Sequence, residues 1–294
     1  MRDESEMMRQ ILQVAQEDGR VQAVWLGGSR TDPQARPDLL QDYDVVYVVE
    51  ETGSFRRDPQ WAERQFGPVL YCQRPEELDA SLGQEADLEN NFGWLMQLAD
   101  GNRLDLHVQT LKRTLQELQE ERLSRVLWDR DGVLPPLPEP SDCCHWVRRP
   151  SQQQYAACCN EFWWCLNNLG KGLWRREVTY SQEVLSCQLR PQLVTMLGWE
   201  SGVRCGFSHS IGKAGKGLER WARPEDWQDL LATYCGPGWE EMCCSARVIC
   251  RVFDRTARRV GEGLGYPYRQ EEARASWDYL EHLLALPVDA KQVF

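Results

Sequence analysis

Four prolines fall within one ten-residue stretch, positions 132–141, Gly-Val-Leu-Pro-Pro-Leu-Pro-Glu-Pro-Ser. Proline fixes φ and lacks a backbone N–H, so neither a helix nor a central strand runs through such a segment. It reads as an extended linker, and it separates two parts of a 294-residue chain whose hydrophobic periods differ. The expected organisation is a first domain over residues 1–134, a linker over 135–142 and a second domain over 143–294.

In the first part helical and strand periods alternate. Residues 4–17 place Met7, Met8, Ile11, Leu12 and Ala15 at helical spacing. Residues 21–26 read as a strand, broken by Gly27-Gly28-Ser29-Arg30, which can open a second helix. Residues 44–49, rich in valine, read as a buried strand. Residues 68–72 and 103–108 are two further strand candidates, and residues 111–123 a helix. An α/β half built on a small mixed sheet is expected.

After the prolines the pattern is nearly all helical. Ser151 is a suitable N-cap and Gly170 a suitable stop, with Tyr155, Cys158, Phe162, Cys165 and Leu169 as one apolar stripe. Pro191 and Pro224 sit where helix-initiating prolines belong. Trp227, Leu230, Leu231 and Tyr234 follow at helical spacing. A longer stripe runs from Met242 to Val260, with Gly261 and Gly263 as its stop, and Trp277, Leu280, Leu283 and Leu284 make the last. A bundle of five or six helices is expected.

A hydrophobic fraction of 42% supports real cores and excludes an intrinsically disordered chain. No apolar run approaches the ~18–20 residues of a membrane span, and the acidic Met1–Glu6 segment lacks a signal-peptide core, so a cytoplasmic protein without a membrane partner is expected. The twelve cysteines, three adjacent pairs among them, read as reduced and mostly buried thiols. Residues 1–145 hold 28 acidic and 15 basic side chains, and residues 146–294 hold 17 and 19. All the excess negative charge lies in the first half. That balance disfavours nucleic acid and favours metal ions and cationic ligands, although a merely solubilising surface gives the same count.

The residues that can carry chemistry lie on three strands. Val24-Trp-Leu-Gly-Gly-Ser-Arg30 puts glycines and a serine where a strand meets a helix, a place where backbone N–H groups hold phosphate; alone, Gly-Gly-Ser is also a common turn. Asp42 and Asp44 point to one side of the next strand, about 6.6 Å apart. A lone Asp-x-Asp is most often a solvated strand end. Asp105 lies on the polar face of a later strand with Arg103 and His107, while Leu104, Leu106 and Val108 share the other. Three carboxylates on one sheet can hold two divalent ions ~3.5–4 Å apart, the arrangement that clamps a transferring phosphoryl group.

Those motifs carry a family resemblance. The first half resembles the nucleotidyltransferase fold of DNA polymerase β and the antibiotic nucleotidyltransferases. Val24-Trp-Leu-Gly-Gly-Ser-Arg30, Gln41-Asp-Tyr-Asp-Val-Val-Tyr47 and Asp100-Gly-Asn-Arg-Leu-Asp-Leu106 are similar to the aminoglycoside 6-adenylyltransferases, which modify streptomycin. So are Cys158-Cys-Asn-Glu-Phe-Trp-Trp-Cys165, Gly170-Lys-Gly-Leu-Trp-Arg-Arg-Glu177 and Gly212-Lys-Ala-Gly-Lys216 in the second half. Two positions depart from the family pattern: Gly27, where asparagine is usual, and His107, where a small polar residue is usual.

The resemblance implies a nucleotidyltransferase domain followed by a helical substrate-binding domain. It implies ATP as co-substrate, its triphosphate near Gly28, Ser29 and Arg30, and two Mg²⁺ ions. Asp42 and Asp44 would hold one ion; Asp105 would hold the second, act as general base, or both. Lys171, Lys213 and Lys216 become candidates for phosphate, although a helix-capping lysine and a solvated basic loop fit them equally. Glu161 and Trp164 become candidates for a cationic acceptor, with an ion pair from Glu161 to Arg175 or Arg176 as the alternative. AMP would pass to a streptomycin hydroxyl, the 6-hydroxyl by resemblance, and pyrophosphate would leave. Another acceptor (spectinomycin, a lincosamide or a protein) and a non-catalytic nucleotide-binding module are the competing readings. A monomer is favoured.

Overall fold

The strands of the first half form because their residues alternate between two differently covered faces. A computed structural model describes residues 1–294, in two units, Met1–Cys144 and His145–Phe294. In the first unit α1 (Glu4–Glu17) precedes β1 (Val21–Gly27) and β2 (Tyr43–Val49). Then come α2 (Gly53–Arg56), α3 (Trp61–Phe66), β3 (Val69–Gln73), α4 (Pro75–Ser81), β4 (Asn91–Leu98), β5 (Arg103–Thr110), α5 (Leu111–Glu120) and β6 (Ser124–Asp129). The six strands form one mixed sheet in the order β3-β4-β5-β2-β1-β6, with only β2 and β5 parallel among neighbours.

One face of this sheet is closed. Tyr43, Val45, Tyr47 and Val49 of β2, Phe92, Trp94, Met96 and Leu98 of β4, and Leu104, Leu106 and Val108 of β5 pack with Met7, Ile11 and Val14 of α1 and with Phe55, Trp61 and Phe66. The opposite face has a smaller apolar cluster, Ala23, Trp25, Val46, Val48 and Leu118, against which Val133, Leu134 and Leu137 pack. The proline-rich segment is therefore tied to the first unit; the Val133 and Leu134 amides also donate to the Asp129 carboxylate at 3.0 and 2.9 Å. The incompletely covered face is the one to which Asp44, Asp105 and His107 point, because each is one residue out of phase with the core-facing set.

The second unit is all α, as expected. Its helices are α6 (Gln152–Trp174), α7 (Val178–Glu183), α8 (Arg190–Cys205), α9 (Leu218–Trp221), α10 (Pro224–Leu231), α11 (Trp239–Leu264) and α12 (Gln270–Ala285). Ser151 caps α6 with a full capping box. In its core Phe162 and Phe253 stack with centroids 3.7 Å apart.

Several expectations are corrected. The unit has seven α-helices rather than five or six. Gly170 does not stop α6, and Gly261 and Gly263 do not stop α11. These glycines are internal because neighbours approach closely: a Cβ would lie 2.8 Å from Leu283 at Gly170, 2.8 Å from the Tyr155 hydroxyl at Gly261 and 2.4 Å from Val203 at Gly263. The true stop of α11 is Gly265, with φ +74°. Pro191 is the second residue of α8, as expected of a first-turn proline, but α8 does not begin from coil, since π-helical residues Val184–Leu189 lead directly into it. Leu231 and Tyr234 are exposed rather than core. In the first unit α5 ends at Glu120, short of residue 123, and β4 and β6 were not anticipated.

Candidate active site

The turn after β1 sets the first wall of the site. Gly27 pairs with Asp44 in the β1–β2 ladder, and Gly28–Arg30 makes one 3₁₀ turn. Gly28 has φ +67°, and a Cβ there would lie 2.1 Å from Asp44 Oδ2. Both conformation and space thus require glycine, and the Asp44 carboxylate lies against the backbone of the turn. Ser29 is exposed, with Gln41 Nε2 3.4 Å from its hydroxyl. Arg30 is committed locally: its guanidinium donates to the Asp42 and Gln41 carbonyls at 2.9 and 2.8 Å and covers the Tyr43 ring at 3.7 Å. It holds the loop that delivers Asp42.

Parallel pairing of β2 with β5 puts Asp44 directly beside Asp105. Neighbouring strands are ~4.8 Å apart, so the two carboxylates are forced together on one face. Arg103, two residues before Asp105, answers part of this charge. It forks onto Asp105 at 2.9 and 2.7 Å and reaches Asp42 Oδ2 at 3.5 Å. Asp44 has no such partner. Burial, then the charges of Asp105 and Asp42, push its carboxyl up to about 6. Burial also raises Asp42, against the pull of Arg103. A half-buried acid facing two others is a place that favours an added cation. The Asp44–Asp105 pair with the glycine cradle therefore fits a divalent ion.

Gly27, Gly28, Asp44 and Asp105 line a pocket of about 390 Å³ with Trp25, Asn91, His107, Gln109, Arg113, Glu117 and Glu121, and Asp42 lies outside that lining. Motif reading missed most of that lining. Asn91 was findable, because Phe92, Trp94, Met96 and Leu98 alternate with period two and mark β4. Arg113 and Glu117 project from a helix that was anticipated, but nothing in their spacing distinguishes them from a solvated face.

The other candidates lie in the second unit. Glu161 is exposed and accepts from the Cys165 thiol at 3.3 Å, and Arg175 pairs with Glu177 instead. Trp164, next to the buried Trp163, is 67% exposed. Lys171 lines a cleft of about 230 Å³ with Trp174, Arg175 and Lys291. Lys213 and Lys216 are exposed at a 3₁₀ turn that follows Gly212, φ +71°. All twelve cysteines are unpaired. No helix is long and apolar enough to cross a membrane.

A mixed sheet presenting a glycine turn and paired aspartates on one open face, followed by a helical unit, is a nucleotidyltransferase fold, and the chain is a nucleotidyltransferase. More narrowly, the chain belongs to the streptomycin adenylyltransferase family, which matches residues 1–283. It is 34% identical to an aminoglycoside 6-adenylyltransferase of Bacillus subtilis over 91% of this chain and 93% of that one. It is 30% identical to one of Campylobacter jejuni, over 91% of each, and 28% identical to one of Staphylococcus aureus, over 92% and 95%.

Proposed function

We propose that this chain transfers AMP from Mg·ATP to a hydroxyl of an aminoglycoside, streptomycin at its 6-hydroxyl, and releases pyrophosphate. The observation that carries the reading is the register of β2 on β5, which sets Asp44 against Asp105 at the floor of the pocket beside the Gly28 turn. The names of the relatives support the acceptor class.

Asp42, Asp44 and Asp105 would hold Mg²⁺, two ions by the chemistry of the class. When bound, Mg²⁺ supplies neutralising charge for the triphosphate and the leaving pyrophosphate. The rest falls to the chain. The turn at Gly28 and Ser29 presents backbone to the triphosphate, and Arg30 fixes that turn through the Gln41 and Asp42 carbonyls. Asp105 accepts the proton of the attacking hydroxyl as its oxygen bonds to the α-phosphorus and the bond to the β-phosphate bridge breaks. Arg103 orients the Asp105 carboxylate and yields Asp42 to the cation. Glu161 and Trp164 offer a carboxylate and an open aromatic face to a cationic acceptor, and Lys171, Lys213 and Lys216 are positive groups for phosphate. Function in the cytoplasm and as a monomer accords with this chemistry.

The test is pyrophosphate release by the purified chain with Mg·ATP and, in parallel, streptomycin, spectinomycin, kanamycin and lincomycin. Release with streptomycin alone, lost in Asp42→Asn, is the expected result. Release with another drug moves the acceptor; release with none overturns the reading.

A further inference from the structure

His107 lines the pocket two residues beyond Asp105 on the same face of β5. Its ring is held from three sides. Nδ1 lies 3.2 Å from Asn91 Oδ1 and 3.5 Å from Glu76 Oε1. Glu76 is 8% exposed, and its two oxygens are otherwise engaged by the Asn91 side-chain amide and, at 2.9 Å, by the Gly93 N–H. The ring also sits over Gly93, where a Cβ would lie 2.5 Å from Cε1, so any side chain at 93 would displace it.

The network fixes the tautomer as well as the position. Asn91 donates its amide N–H to Glu76, so its carbonyl oxygen is turned to His107. Both groups at Nδ1 are then acceptors, and Nδ1 carries the hydrogen. Nε2 has no hydrogen-bond partner in the protein. A buried carboxylate, an amide and a glycine combine to hold one imidazole with an unused nitrogen at the wall of the site.

We propose that His107 Nε2 orients the acceptor substrate through a hydrogen bond with a hydroxyl beside the one that Asp105 serves. This rests on the adenylyltransferase reading above. Positions 105 and 107 are roughly 7 Å apart along the strand, a span that one polyhydroxylated ring bridges. A substrate bonded at both points is fixed in rotation as well as position, which is where such a contact contributes to rate. Glu76 and Asn91 act through His107 as positioning residues.

The test is steady-state pyrophosphate release by the full chain with Mg·ATP, the acceptor identified in the panel above being varied, for His107→Leu, His107→Gln and Glu76→Gln. His107→Leu is expected to lower kcat/KM for the acceptor about three- to tenfold, the range of one lost hydrogen bond, with the KM for ATP unchanged. His107→Gln retains a side-chain amide that can donate or accept and is expected to recover part of the loss. Glu76→Gln is expected to give a smaller fall in the same constant. Melting curves identify any variant that fails to fold, and His107→Gln alone then decides, through an acceptor-specific loss. Equal losses for ATP and acceptor, or none, overturn the orienting role while leaving the parent reading intact. No turnover by the wild-type chain overturns the parent reading and this role with it.

Discussion

The helical unit and the open face of the sheet treat acids withdrawn from solvent in opposite ways. In the helical unit each buried acid is matched. Asp226, fully buried, receives Arg255 at 2.9 Å and Arg259 at 2.7 Å, and Glu200 receives Arg223 and Arg204 at 2.8 and 3.0 Å. In the sheet unit Asp44 faces two other acids and has no cation of its own. A matched acid is architecture, because its burial is balanced by the charges that surround it. An unmatched one is a strain the fold sustains elsewhere, and such strain marks sites kept for a ligand.

Substitution should separate the two cases. Asp44→Asn is expected to reduce turnover by roughly a thousandfold or more, and to raise the melting temperature of metal-free protein, since it removes a repelled charge. A retained rate, or a lower melting temperature, would break the contrast. Asp226→Asn is expected to do the reverse, leaving two arginines short of a charge and costing on the order of 2–3 kcal/mol in urea unfolding, the partial exposure of both arginines keeping it below the fully buried case.

Smaller effects sharpen the same comparison inside the sheet unit. Arg103→Gln frees Asp42 and Asp105 for the cation, so half-maximal activity is expected at a Mg²⁺ concentration about two- to fivefold lower, the scale of one exposed ion pair. A higher requirement would show that Arg103 assists the ion instead. Asp100 is a matched acid in this unit. Burial works to raise its carboxyl, but hydrogen bonds from Arg2 and Asn102 outweigh it and hold the group well below the usual range. The unfolded chain therefore takes up this proton first. The stability Asp100 contributes is present above about pH 4 and drains as pH falls further. The gap in melting temperature between wild type and Asp100→Asn is expected to narrow as pH falls below about 4, the smallest of these effects.

How much was legible in the sequence follows the same division. Strands such as residues 21–26 and 103–108 and the capped start at Ser151 were readable because the signals are local. The glycine stops failed for a tertiary reason: Gly170, Gly261 and Gly263 make room for Leu283, Tyr155 and Val203, and such closeness leaves no mark in the adjacent sequence. The three aspartates were readable as a set through their spacing and resemblance. That Arg103 would tie Asp42 to Asp105, or that Glu76 from α4 would reach the Gly93 amide, depends on how distant segments meet. Asn91 lay within reach, since the alternation of β4 was present and overlooked.

The parallel pairing of β2 and β5 also bears on how the protein reaches its native state. The strands are separated by a long stretch that includes β3 and β4, and β5 lies between β2 and β4 in the sheet. Closing so large a loop is slow, and the first reward for it at one end is a pair of repelling carboxylates. Apolar pairs further along, Val45 with Leu106 and Tyr47 with Val108, must carry the docking. A slip of one residue would turn Asp105 into the aromatic core, so the incorrect alignment is penalised more heavily than repulsion penalises the correct one. The same aspartates that resist the closing of the sheet thereby proofread its alignment.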